Sequence, residues 1–151
     1  MAGRVMMAVA GAALCAASAS AQTAREIVSD QLRVVIDTKA DDGFTADAGA
    51  LGRPTFRGVL ENDTTVHLEL TLEAGREYFI AARCDEGCVD LDTRILAPDF
   101  SSLADDTLDN DVPNIAVTAA ETGPHLLAVR MVSCRTDICY FGVAIVSRAA
   151  R

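Results

Sequence analysis

From Thr55 onward the apolar residues of this 151-residue chain recur at every second position, the spacing of a half-buried strand rather than of a helix. The clearest case is Val66, Leu68, Leu70 and Leu72 alternating with His67, Glu69 and Thr71, which gives one buried and one solvated face. Turn signals recur at Asn62-Asp63, Ala74-Gly75, Asp85-Glu86-Gly87, Pro98-Asp99, Asn110 to Asn114, Thr122-Gly123-Pro124 and Arg135-Thr136-Asp137. Between them lie expected strands at 55–60, 64–72, 77–83, 89–96, 115–119, 125–133 and 140–147. Short strands at this spacing predict an all-β fold, an antiparallel sandwich of the jelly-roll kind, over residues 55–151. There is no βαβ rhythm and no internal repeat.

The chain ahead of the strands reads differently. Residues 1–21 have the three parts of a secretory signal: Arg4, the apolar run Val5 to Ala17, and the small-residue site Ala19-Ser20-Ala21 before Gln22. That run is shorter than the roughly 20 residues a membrane span takes. No later stretch reaches that length, so no membrane span is expected. Cys15 is preceded by Leu14 where a lipid anchor needs a small residue, which favours cleavage at Gln22 over anchoring. Residues 22–38 predict a helix opened by the capping box Thr23-Ala24-Arg25-Glu26, in which Val28, Leu32 and Val35 recur at helical spacing and Leu32, Val35 and Ile36 face the domain. Residues 39–54, rich in Gly and Asp and without periodicity, predict a loop or linker that leaves the helix loosely packed.

Charge narrows the possible partners. The whole chain carries a net charge of −9, and loss of Arg4 with the signal makes it one unit more negative. Nucleic acid and anionic lipid are excluded as partners on this ground, because both are held by Lys and Arg clusters that are absent here. The negative charge concentrates in residues 85–111, where Asp85, Glu86, Asp90, Asp92, Asp99, Asp105, Asp106, Asp109 and Asp111 are opposed only by Arg94. Carboxylates this close are solvated, hydrogen-bonded or gathered on a hard cation. Asp90, Asp92 and Arg94 alternate with apolar neighbours and so share a strand face. A Ca²⁺ site would add Asp105, Asp106, Asp109 or Asp111 from the following loop, since Ca²⁺ takes about six to eight oxygens. The loop is no EF-hand, because counting from Asp105 the position that requires Gly is Asn110 and the chelating Glu is replaced by Ala116. A solvated acidic loop is the competing reading.

Four cysteines follow the signal, as Cys84-x₃-Cys88 and Cys134-x₄-Cys139. In an exported chain they predict disulfides, with a four-thiolate zinc site as the rival. Each pair flanks a short polar segment suited to a hairpin turn, which favours local clips, 84 with 88 and 134 with 139. Such a clip stabilises by about 2 kcal/mol in the chain-entropy model.

Three segments together resemble a known family. Leu72-Glu73-Ala74-Gly75-Arg76-Glu77-Tyr78-Phe79-Ile80, then Val89-Asp90-Leu91-Asp92-Thr93-Arg94-Ile95-Leu96 and an Asp-rich loop, then Glu121-Thr122-Gly123-Pro124-His125-Leu126-Leu127-Ala128-Val129, are similar to the bacterial pre-peptidase C-terminal domains. The resemblance spans residues 55–147 and implies a jelly-roll-like sandwich with a non-catalytic role in binding. The family's modules are appended to secreted peptidases, whereas here a helix and two cysteine pairs accompany the module.

Catalytic motifs are lacking: there is no Gly-x-Ser-x-Gly elbow, His-Glu-x-x-His helix, phosphate loop or dinucleotide fingerprint. The two histidines, His67 on a polar strand face and His125 after a Gly-Pro turn, read as surface residues; a small metal-dependent hydrolase using either one is the alternative. With no Trp and only Tyr78 and Tyr140, the chain lacks flat platforms for stacking sugars, which argues against glycan. The expectation is therefore a non-enzymatic periplasmic or secreted β-sandwich that contacts other exported or envelope proteins through its loop rim, with Asp90, Asp92, Asp105, Asp106, Asp109 and Asp111 as the candidate site.

Overall fold

The computed structural model describes residues 13–151, with side chains described from Thr23 onward. Most of the expected signal, residues 1–12, lies outside the described residues. The chain runs α1 (Ala13–Asp41), β1 (Thr45–Ala46), β2 (Thr55–Glu61), β3 (Thr64–Leu72), β4 (Arg76–Cys84), β5 (Cys88–Leu96), β6 (Ser102–Asp106), β7 (Asn114–Thr118), β8 (Gly123–Cys134) and β9 (Ile138–Ala149). All strand pairs are antiparallel. One sheet has the order β7-β4-β9, with β2 and β1 both on the far side of β9; the other has the order β3-β8-β5-β6.

The two sheets bury their apolar parities against each other. Leu70 and Leu72 of β3, Ile80 of β4, Leu91 of β5, Leu127 of β8 and Ile145 of β9 meet in the space between, all fully buried. The alternation that identified these strands is also what sorts their side chains into core and surface. All seven expected strands are present, and two unexpected ones join them. β1 is a two-residue bridge onto β9, and β6 lies inside the acidic stretch that had read as loop, paired with β5 across a register shift at Ile95/Leu96.

The helix departs from expectation at both ends. It runs from Ala13 to Asp41, so Thr23 and Glu26 lie within it rather than at its start. Its inner stripe, Val28, Leu32 and Val35, packs on Ala81 and Ala144 of the β4/β9 surface. Gly142 makes that approach possible, because a Cβ there would come within 2.7 Å of Leu32 Cδ1, 2.8 Å of Val28 Cγ1 and 3.0 Å of the Phe56 carbonyl oxygen.

Residues 39–54 are no slack linker. Gly43 takes a positive φ of 82° just past the helix end, and Phe44 turns back under it, buried edge-on to Phe79 with ring centroids 6.4 Å apart. Lys39 and Arg148 then lie over the Phe79 and Phe44 rings, 4.3 Å and 4.2 Å from their centroids. The Asp47 carboxylate accepts from the Ser147 hydroxyl and from the Ala50 amide, and the Ala50 carbonyl accepts from Thr71 N at 2.8 Å. A buried aromatic and satisfied backbone groups, neither visible as periodicity, make this segment a strap that ties the helix down.

Both local disulfides are present, Cys84–Cys88 and Cys134–Cys139. Cys88 and Cys134 sit directly opposite each other across β5 and β8, so the two clips share one end of the sandwich.

Candidate functional site

The outer face of the β3-β8-β5-β6 sheet is built by register. In β8, His125, Leu127, Val129 and Met131 point inward, which turns Leu126, Ala128 and Arg130 outward. Thr65 stands opposite Arg130, which stands opposite Asp92; one step along, His67 stands opposite Ala128, which stands opposite Arg94, which stands opposite Asp105. Ala128 is the short side chain in the middle of these longer ones. The resulting depression of about 330 Å³ has Ala128 as its floor and is lined by Thr65, His67, Asp92, Arg94, Thr107 and Arg130, with Phe100 at the rim.

Phe100 reaches the rim through a strained turn. Its N–H donates to the Ala97 carbonyl, the Ala97 N–H donates to the Ser101 carbonyl, and Asp99 accepts from both the amide and the hydroxyl of Ser101. These bonds to Ser101 hold the Asp99 carboxyl below its ordinary pKa. Within this turn Phe100 has φ 65°, and its side chain is 70% exposed. A bulky L-residue in the left-handed region costs about 1 to 2 kcal/mol, and here the cost holds an aromatic ring in solvent.

The charges in the depression are partly paired. Arg94 Nε lies 3.6 Å from Asp105, and Arg130 donates to Asp63 in the β2–β3 turn. Burial, then Asp90, then Asp106 push the Asp92 carboxyl above its ordinary pKa, against Arg130 and Arg94. Burial followed by Asp109 does the same to Asp90, against an Asn110 backbone bond and Arg130. Asp90 sits where β5 shifts register against β8, and its Oδ1 is buried without a hydrogen-bond partner.

The six aspartates singled out in the sequence are therefore spread over several elements. Asp90 and Asp92 lie on β5. Asp105 faces Arg94. Asp106 accepts from the amides of Leu108 and Asn114 and so shapes the turn into β7. Asp109 and Asp111 lie in that turn, Asp109 acting on Asp90 and Asp111 on Arg83. Among the described residues no group of three or more His, Cys, Asp or Glu side chains is placed to hold a metal ion. Asp85, at the head of the acidic stretch, accepts from Gly87 N and Tyr140 N and ties the β4–β5 turn to β9.

The histidines separate. His67 is exposed in the depression beside Asp92 and makes no hydrogen bond among the described residues. His125, expected at the surface, is 8% exposed on the inward parity of β8. Its Nδ1 lies 3.0 Å from the Gly123 carbonyl, which can only accept, so the proton sits on that nitrogen. The two rings are on opposite faces of one sheet and cannot act together.

Phe100, Arg130, Thr65 and Thr107 were not among the sequence candidates. Arg130 had a signal, being the one charge in the strand 125–133. Phe100 had a fainter one, an aromatic in a Pro-Asp turn where burial is not available.

No family model matches the chain, and no curated protein matches it in sequence. Among solved structures, the pre-peptidase C-terminal domain of a collagenase from Bacillus anthracis superposes with a TM-score of 0.50 at 13% identity, covering 60% of this chain and 86% of that one. A periplasmic inhibitor of g-type lysozyme from Aeromonas hydrophila gives a TM-score of 0.48 at 13% identity, covering 62% and 84%. At this identity the likeness to the collagenase domain is one of fold.

Proposed function

We propose that this protein is a non-enzymatic binding module that engages another exported protein through the outer face of the β3-β8-β5-β6 sheet. The observation that carries the reading is the exposed Phe100 ring, held in a strained backbone beside a depression that offers Arg94, Arg130, His67 and two threonine hydroxyls. An aromatic anchor ringed by arginines and short polar groups is the composition that concentrates binding energy at protein interfaces. The opposite outer surface is already occupied by α1. Two disulfides fit an oxidising compartment, and among the described residues no helix is long and apolar enough to cross a membrane.

The reading moves the contact from the acidic loop to the sheet face. Asp92 and Asp105 belong to it as partners of the arginines, while Asp106 serves the turn. His67 is the residue on which a hydrolytic reading would rest, and the absence of any hydrogen bond orienting its ring, among the described residues, leaves the binding reading the better supported.

Surface-plasmon measurement of the native partner, once recovered from the exported fraction, tests this with Phe100→Ala and the double variant Arg94→Ala/Arg130→Ala. Loss of Phe100 is expected to weaken binding about 30-fold or more. Unchanged affinity in both variants, with the fold intact by circular dichroism, defeats the reading.

A further inference from the structure

The β3 edge of the same sheet is open, and its sequence is complementary to itself. Among the described residues β3 pairs only with β8. Thr71 donates its amide away from β8, to Ala50, and the residue opposite Thr71 in β8 is Pro124, which has no N–H to exchange. Alternation along the strand then turns the amides and carbonyls of Thr65, His67 and Glu69 toward the free side. Ala50 closes this edge at Thr71, and among the described residues no other backbone bond outside the β3–β8 ladder reaches 65–69.

The other edges are shorter. β6 is short and carries a register shift, β7 is short and preceded by Pro113, and β2 follows Pro54. β3 is nine residues long, regular, and free of Pro, Lys and bulges, the kind of edge that proteins protect unless it is used.

We propose that β3 is a dimerisation edge at which two copies of this chain pair antiparallel about Leu68. A two-fold axis at Leu68 sets His67 of each copy opposite Glu69 of the other and Val66 opposite Leu70. His67 and Glu69 are both exposed on the outer face and both present their backbone groups outward. Each cross-pair thus joins an imidazole N–H to a carboxylate and exchanges reciprocal backbone bonds. An axis one residue earlier would set imidazole against imidazole, so charge complementarity selects Leu68. The joined sheets would form one continuous face carrying two copies of the depression, with His67 shared between its wall and the dimer contact.

Sedimentation equilibrium of the purified protein at about 100 μM tests this, where a dimer is expected. Glu69→Lys, which puts a cation opposite His67, is expected to weaken the dimer about tenfold or more without changing the far-ultraviolet spectrum. His67→Glu, which opposes two carboxylates, is expected to do the same. The double variant His67→Glu/Glu69→Lys sets a carboxylate opposite an ammonium and is expected to restore the dimer. A monomeric wild type, a dimer indifferent to both single variants, or a folded double variant that stays monomeric overturns the proposal. Glu69→Lys leaves Phe100 and both arginines in place, so loss of the dimer with retained partner binding separates the two readings.

Discussion

The two outer surfaces of the sandwich are made from the same strand geometry and end in opposite conditions. On β4 and β9 the outward positions include Ala81, Gly142 and Ala144, small enough for a helix to lie against them. On β3, β8 and β5 the outward positions include His67, Arg94 and Arg130 around the short Ala128, and the sheet carries an open depression there. Small outward residues on β4 and β9 thus let one face close within the chain, while the other face stays open.

Variants on the covered face should cost far more stability than variants on the open one. Leu32→Ala removes a fully buried anchor of α1 and is expected to cost about 3 kcal/mol, and Gly142→Ala, which drives a methyl into Leu32, Val28 and a backbone carbonyl, about 2 kcal/mol. Arg94→Ala, on the open face, is expected to stay within about 0.5 kcal/mol, because its pairing with Asp105 is half exposed. Urea melts of the three variants compare the faces; equal costs would erase the distinction.

Asp90 sharpens it with an effect of about 1 kcal/mol. Burial and then Asp109 raise its native pKa, so the fold favours the protonated form, and the cost to stability builds as pH rises from the ordinary carboxylate value and is complete above the raised native one. Asp90→Asn is therefore expected to raise the melting temperature at pH 7, with the gain shrinking as pH falls through the raised native pKa and gone below the ordinary carboxylate value. A gain that grows on acidification would reverse the assigned sign.

The stability effect expected at Phe100 is as small as that at Arg94. Glycine relieves the positive φ but loosens the unfolded chain, so Phe100→Gly should be stabilising by only about 0.5 kcal/mol while partner binding is lost. A destabilised variant would mean that the ring packs rather than presents.

The core was legible because alternation is a local signal: Leu68, Leu70 and Leu72 announce their face without any knowledge of β8. The disulfides were legible for the same reason, each pair flanking its own turn. β6 was hidden because its carboxylates, Asp105 and Asp106, read as loop, and only pairing with Arg94 and Thr93 of β5 makes it a strand. The strap at 39–54 was hidden because Phe44 and Asp47 act through partners roughly a hundred residues away, Arg148 and Ser147. The depression required register across three strands, which brings Thr65, Arg130 and Asp92 into one row. Its aspartates and Arg94 were conspicuous in the sequence, but Arg130 and Phe100 acquire meaning only from their neighbours.

Site-directed photo-crosslinking in the compartment that holds the protein tests the central claim most directly, with a photoreactive amino acid placed at Phe100 on the open face or at Val34, a 56% exposed position on α1. A discrete adduct with another exported protein from position 100, absent from position 34 and lost in Arg94→Ala/Arg130→Ala, is the predicted result. Adducts from position 34 alone, or equally from both, would contradict it.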